Sequence, residues 1–323
     1  MDSSTTRIAV VLFNLGGPLS LQGVRPFLFN LFKDPAIVRL PSFIRVPLAF
    51  IISFFRSKSA IVSYQKLGGK SPLLSNTRDQ AIHLEKALGP GFKTFVVMRY
   101  AFPRADEVIK DLLVYTPHKM VLLPLYPQYS TTTTASSFKE WMEVLKRNKF
   151  TIPTLPIYNY WDLDELISFY VDLIKETWTE AQQYGSPRLL LTAHGLPLKI
   201  VEEGDLYPQH VQKMGDLIVQ KLNYPDHVVC YQSRVGPMEW LKPYIKDEIS
   251  KAALAKTPLI IVPISFVSEH IETLVELDEE YKSFALGSGV PYYKRIPTPQ
   301  CDPVFISGLK RLVLLRLKNH SPS

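Results

Sequence analysis

His194 and a cluster of glutamates near residue 275 are the side chains best suited to move protons or hold a metal. His194 lies in Leu191-Thr-Ala-His-Gly-Leu-Pro197, directly after an apolar run and before a glycine turn. That position points an imidazole out of the carboxyl edge of a sheet, where open α/β folds form their sites. A neutral imidazole accepts a proton near neutral pH or ligates a metal. A structural histidine fits the same position equally well. In Ser268-Glu-His-Ile-Glu-Thr-Leu-Val-Glu-Leu-Asp-Glu-Glu-Tyr281, a spacing of about 100° per residue brings Glu269, Glu272, Glu276, Glu279 and Glu280 within an arc of about 100° on one α-helix. Ile271, Leu274, Leu277 and Tyr281 take the other side. A solvated acidic face fits this pattern. So does a cation site, because five like charges at i, i+3 and i+4 repel one another with little Lys or Arg between them. Carboxylates beside His270 or His194 suit a divalent ion of intermediate hardness such as Fe²⁺.

Two further stretches could recognise a ligand. Arg56, Tyr64, Lys66, Ser71 and Arg78 gather in and after a segment whose Tyr64–Pro72 part reads as loop. These donors suit the carboxylates of an acidic ligand, or simply a basic surface. Asn14-Leu-Gly-Gly-Pro18 follows a strand-like run, but it lacks the spacing and the acidic residue of a dinucleotide fingerprint. It reads as a tight turn exposing Leu15.

These residues need a frame, and the pattern supplies one. Ile8–Phe13, Thr94–Met98, Met120–Leu123, Arg188–Thr192, His227–Cys230 and Leu259–Val262 read as buried parallel strands. Ala105–Val114, Ser136–Lys146, Leu163–Ala181, Pro208–Lys221 and Glu269–Tyr281 carry helical spacing. The alternation predicts an α/β fold. The halves also echo each other: Phe13–Pro18 aligns with Thr192–Pro197, Arg99 with Arg234, and Leu123-Pro-Leu with Val262-Pro-Ile. Leu15 and Arg99 are 84 residues apart, whereas His194 and Arg234 are 40 apart, so the first copy carries an insertion of about 44 residues between Pro18 and Thr94.

Inside that insertion, Val46–Phe55 is an apolar run of ten residues flanked by Arg45 and Arg56. It is short of the roughly 20 residues that cross a bilayer, so no spanning segment is expected. The Phe50–Phe55 patch fits either core or a lip at a membrane interface. The 323 residues are 46% hydrophobic and 21% charged, which excludes a disordered or coiled-coil chain. A net charge of +7, with basic residues scattered, fits an anionic surface or an acidic small molecule better than nucleic acid. Two cysteines, Cys230 and Cys301, supply neither a disulfide framework nor four thiolates. No signal peptide is read at the start, and a reducing cytoplasm is the expectation.

Taken together, these stretches resemble the ferrochelatases, which insert Fe²⁺ into protoporphyrin IX at the end of haem synthesis. The resemblance runs over nearly the whole chain. It rests on Leu12–Pro18, Tyr64–Pro72, Arg99-Tyr100, Leu123-Pro-Leu-Tyr-Pro-Gln-Tyr129, Ala193–Pro197, Tyr231-Gln-Ser-Arg-Val-Gly-Pro237 and Ser268–Tyr281, in that order. It implies two similar Rossmann-like domains with four-stranded parallel sheets flanked by helices and a porphyrin cleft between them. The expected division is 1–129 plus 303–323, with the lip near 40–75, and 130–302 carrying the metal and proton site. By resemblance, His194 and Glu272 are the catalytic and metal-binding pair, with Glu272 across the macrocycle from His194. Glu276, Glu280 and His270 form a proton or metal relay. Leu15, Arg56, Tyr64, Ser71, Arg99, Tyr100 and Tyr126 contact the porphyrin. The partners implied are protoporphyrin IX and Fe²⁺ as substrates, with peripheral membrane contact through the lip. No cofactor is implied, and no iron–sulfur cluster is expected, although some family members carry one. Leu15 replaces the Met or Tyr of other members, and the Asn14–Pro18 stretch and the lip favour protoporphyrin over coproporphyrin.

Overall fold

A computed structural model describes residues 6–223, 226–234, 236 and 238–319. Its two sheets are both parallel and four-stranded. The first contains β1 (Ile8–Asn14), β2 (Phe92–Met98), β3 (Lys119–Pro124) and β4 (Thr154–Pro156), in the order β2-β1-β3-β4. The second contains β5 (Arg188–His194), β6 (His227–Gln232), β7 (Leu259–Pro263) and β8 (Tyr293–Arg295), in the order β6-β5-β7-β8. The same strand order twice is what an internal duplication produces. Both fourth strands went unread in the sequence, because three residues are too few to show a hydrophobic period.

The chain divides into two compact units. One comprises 1–126, 130–159 and 306–323; the other comprises 127–129 and 160–305. The boundary expected after residue 129 falls too early, because β4 completes the first sheet by pairing with β3 from Met120↔Thr154 to Leu122↔Pro156. In the first unit, helices α1 (Val24–Lys33), α2 (Ser42–Lys66) and α3 (Leu73–Leu88) connect β1 to β2. Helices α4 (Ala105–Tyr115) and α5 (Thr134–Arg147) follow β2 and β3. In the second unit, α6 (Asp164–Ala181) precedes β5, and α7 (Leu198–Glu202) and α8 (Tyr207–Leu222) connect β5 to β6. Helices α3 and α8 occupy equivalent places, so the insertion is the α1–α2 pair.

β1 is apolar along its length because both of its faces are covered. Phe13 packs edge-on against Phe138 and Trp141 of α5, at 5.3 and 6.0 Å between ring centroids. Fully buried Leu84 of α3 belongs to the same unit's core. In the second unit, α9 (Ile245–Leu254) contributes Ile245 and Ile249 to a core with Leu190, Ile261 and Leu277.

Two expectations are corrected here. The apolar run is part of a longer helix: α2 extends for 25 residues, with a mean hydropathy of 1.4 over its most apolar window, long and apolar enough to cross a membrane. Its buried side chains are Ala49, Ser53, Ser57 and Tyr64, whereas Phe43, Phe50, Ile51, Phe54 and Phe55 are exposed. The run is therefore not core, and Tyr64 to Lys66 are helix rather than loop. Second, the segment read as an α-helix over Glu269–Tyr281 is a π-helix over Glu272–Tyr281, with α10 (Lys282–Ser288) following. Its buried residues are Thr273, Val275 and Leu277, of which the 100° spacing selected Leu277 alone.

Candidate active site

His194 is the last residue of β5, the central strand where the order of the second sheet reverses; ligands bind beyond such a carboxyl edge. Gly195 lets the chain turn there: its N–H donates to the Gln232 carbonyl at 2.9 Å. A Cβ on Gly195 would sit 3.0 Å from that oxygen and 3.2 Å from Trp240. The ends of β5 and β6 are thus drawn close, and Ser233 arrives beside the π-helix.

Four residues converge. His194 Nδ1 lies 2.8 Å from Glu272 Oε2. Ser233 Oγ lies 3.1 Å from the same oxygen and 2.6 Å from Glu276 Oε2. The Ser233 N–H and the Gln232 side-chain amide also donate to Glu276, at 3.2 and 3.3 Å. His270 Nε2 stands 3.9 Å from Glu272 Oε1, and its Nδ1 donates to the Ser268 carbonyl at 3.1 Å. The Tyr207 hydroxyl donates to the His194 carbonyl at 3.0 Å, fixing the strand end. At 2.8 Å no ring fits between His194 and Glu272, so the two do not face each other across a macrocycle.

The electrostatics follow from this packing. Burial opposes charging His194, but the charge and hydrogen bond of Glu272, with the charge of Glu276, leave its pKa raised. Burial pushes the Glu272 carboxyl up, yet His194 outweighs it, aided by His270 and Ser233, and holds it well below the usual carboxylate range. Glu276 lacks such a partner: burial and the charge of Glu272 push it up to about 7. Burial lowers His270. The Ser233 hydroxyl has one proton and two carboxylate oxygens in reach. A proton on Glu276, donated to Ser233, satisfies all three groups. The side chain of His194 remains 39% exposed, so a ligand has access to the ring.

Glu279 and Glu280 are exposed, and Glu269 is buried in an ion pair with Arg295 instead of joining the acidic face. Among the described residues, no group of three or more His, Cys, Asp or Glu side chains is arranged to hold a metal ion.

The residues expected at the porphyrin all belong to the first unit. Leu15 is partly buried, and its carbonyl accepts the Tyr100 N–H at 3.0 Å. The Ser71 N–H donates to the Pro18 carbonyl at 2.8 Å, and a Cβ on Gly17 would lie 2.5 Å from Ser71. The second glycine of Asn14–Pro18 therefore serves close packing, and the stretch is a tight turn. Ser71 and Tyr64 are buried, whereas Arg56, Lys66 and Arg78 are exposed. Tyr126 is partly buried just beyond β3, and burial pushes its phenol up.

Arg99 and Tyr100 are held by a residue that sequence reading passed over. Asp34 Oδ2 accepts from Arg99 Nη2 at 2.6 Å, from the Tyr100 hydroxyl at 2.8 Å and from Ser136 Oγ at 2.5 Å. Arg99 Nη1 also pairs with Glu140 at 2.9 Å. Ser233 was missed as well, although the stretch quoted around it was not. Val235 and Pro237 of that stretch lie outside the described residues.

Comparison with known proteins identifies the family of the chain. The ferrochelatase family model matches residues 7–317. Ferrochelatase from Wolbachia sp. subsp. Drosophila simulans (strain wRi) is 46% identical over 312 residues, covering 95% of this chain and 98% of that protein. Ferrochelatase from Phenylobacterium zucineum is 45% identical over 319 residues, covering 95% and 91%. Among solved structures, SirB from Bacillus subtilis with Fe³⁺ aligns with a TM-score of 0.57 at 12% identity, covering 96% of each chain. At that identity the likeness establishes the chelatase fold alone.

Proposed function

The chain belongs to the ferrochelatase family, and its activity is the insertion of Fe²⁺ into protoporphyrin in haem synthesis; we propose that His194 and Glu272 carry that insertion. The observation that carries the assignment is the 2.8 Å contact between His194 Nδ1 and Glu272 at the carboxyl edge of β5.

Metal insertion exchanges two pyrrole N–H protons for one Fe²⁺. It needs a proton acceptor beside the ring nitrogens and donors that bind the ion loosely enough to release it. With Nδ1–H donated to Glu272, neutral His194 presents a lone pair on Nε2. That nitrogen accepts a pyrrole proton, and the Glu272 carboxylate stabilises the resulting imidazolium. The same imidazole and carboxylate suit transient contact with Fe²⁺. Glu276, near neutrality and joined to Glu272 through Ser233, offers the next position for a departing proton; Glu280 and His270 extend the relay. On the substrate side, Arg56, Tyr64 and Ser71 recognise the anionic edge of the porphyrin. Leu15, Arg99, Tyr100 and Tyr126 line its apolar surround. Two cysteines do not make the four-thiolate set of a cluster, so we assign the activity to this chain without one.

The test is anaerobic: protoporphyrin fluorescence and absorbance are followed after addition of Fe²⁺, with Zn²⁺ as a surrogate. Metal-dependent conversion with turnover is the expected result. Tight porphyrin binding without conversion would instead mark a tetrapyrrole carrier. Coproporphyrin III in the same assay checks the porphyrin preference.

We also infer peripheral membrane contact through α2, in keeping with its exposed phenylalanines and basic flanks. Arg25 stacks over Phe50 and Phe54 at 4.6 and 5.2 Å, which keeps a cation beside the apolar patch. Replacing Phe54 and Phe55 by Ser should weaken co-sedimentation with anionic phospholipid vesicles by about tenfold or more. Unchanged sedimentation would rule out this lip.

A further inference from the structure

Resting on the reading of Glu272 and Glu276 as the working carboxylates, we propose that Arg295 is a positioning residue: it holds Glu272–Tyr281 in its π winding and so sets where those carboxylates stand. π-Geometry occurs mostly as single-turn bulges, whereas here it continues for ten residues. Something must hold it open, and the last strand of the second sheet supplies three attachments. Arg295 grips Asp278 with both arms of its fork, Nε to Oδ1 at 2.7 Å and Nη2 to Oδ2 at 2.6 Å. Its Nη1 reaches Glu269, just before the helix, at 2.9 Å. The Tyr293 hydroxyl donates to the Leu277 carbonyl, inside the π segment, at 2.8 Å. Glu269 is itself held by the Thr298 N–H at 2.8 Å.

The clamp ties the chain that leads into the helix, at Glu269, to Asp278 inside the π segment, so it fixes where that segment begins relative to its middle. The structure brings both onto Arg295, whose side chain is only 7% exposed. A buried, bidentate pair of this kind is geometrically demanding, and a lysine ammonium cannot reproduce the fork. Arg295 touches neither His194 nor Glu272, so its influence passes through the helix that carries Glu272 and Glu276.

Arg295→Lys and Asp278→Asn test the clamp. Steady-state Zn²⁺ insertion into protoporphyrin should show kcat lowered by about 100-fold, the scale of a 1 Å misplacement, with porphyrin KM within about twofold of wild type. Amide hydrogen exchange across 272–281 should accelerate while β5, β6 and β7 stay protected. Unchanged kcat and unchanged exchange in the folded variants would overturn the proposal, as would a loss confined to porphyrin KM. If Arg295→Lys fails to fold, Asp278→Asn decides, because Asp278 is 36% exposed and Asn keeps its shape. An inactive wild-type protein would defeat the functional reading, whereas the exchange measurement reports on the clamp regardless.

Discussion

Replacing Glu272 by Gln should lower kcat for metal insertion by about 10²- to 10⁴-fold, the range typical of a lost general acid–base partner. Porphyrin affinity should stay within a few-fold, because the residues assigned to the porphyrin belong to the other unit. The substitution keeps the shape of the side chain and removes its charge. His194 then loses the first of the interactions that raise its pKa, the charge and hydrogen bond of Glu272. Its pKa should fall, so a neutral imidazole should persist to lower pH. The acid limb of the kcat/KM profile should accordingly move toward acid even as the maximum drops. Stability linkage has the opposite consequence in the wild type. A raised histidine pKa contributes stability that is full below the unfolded value and lost as pH rises through the folded one. Wild-type kcat in the Gln variant would remove Glu272 from the mechanism. An unmoved acid limb would remove its control of His194.

The second large effect is on stability. Asp34→Asn should destabilise the first unit by about 3–5 kcal/mol, the usual result of breaking a buried ion pair from one side. The Asp34 side chain is 3% exposed and that of Arg99 is 13% exposed, so little solvent compensates. One carboxylate oxygen serves Arg99 and the adjacent Tyr100 after β2 and Ser136 of α5, and Oδ1 caps the Ala36 N–H at 2.8 Å. An amide replaces part of that acceptor with a donor that has nowhere to point. Equilibrium urea unfolding reads the loss. Arg147→Ala is the control: its pair with Asp106 is 62% and 59% exposed, and such pairs contribute about 0–1 kcal/mol. Equal midpoints for Asp34→Asn and Arg147→Ala would show that the Asp34 network is dispensable.

The strands that carry the site were legible because both sheet faces are covered, which leaves β1, β3, β5 and β7 as unbroken apolar runs. The place of His194 followed from the residue after such a run. β4 and β8 were not legible: each has three residues, with Pro156 in the first and Lys294 and Arg295 in the second, and they show no period. The winding of Glu272–Tyr281 was hidden for a different reason. Side-chain pattern was read on an assumed 100° step, and the clamp on that segment comes from Arg295, which lies outside it on β8. Asp34 and Ser233 carried no signal because a single polar residue shows its worth only through partners such as Arg99, Tyr100 and Glu276. The length of α2 was obscured by Pro41 and Pro47 at its start and by the serines and basic residues that follow Phe55.

The discontinuous first unit makes its own closure non-local. Residues 160–305 form one uninterrupted stretch and possess every strand of their own sheet. The earlier-made sheet instead awaits 306–319, part of the helix Pro303–Lys318 and the residue beyond, whose Leu309 and Val313 are fully buried. Domains generally fold as they emerge, amino-terminal first. Here the first unit closes only across residues 160–305 of the second, a non-local closure that slows its folding relative to the uninterrupted unit.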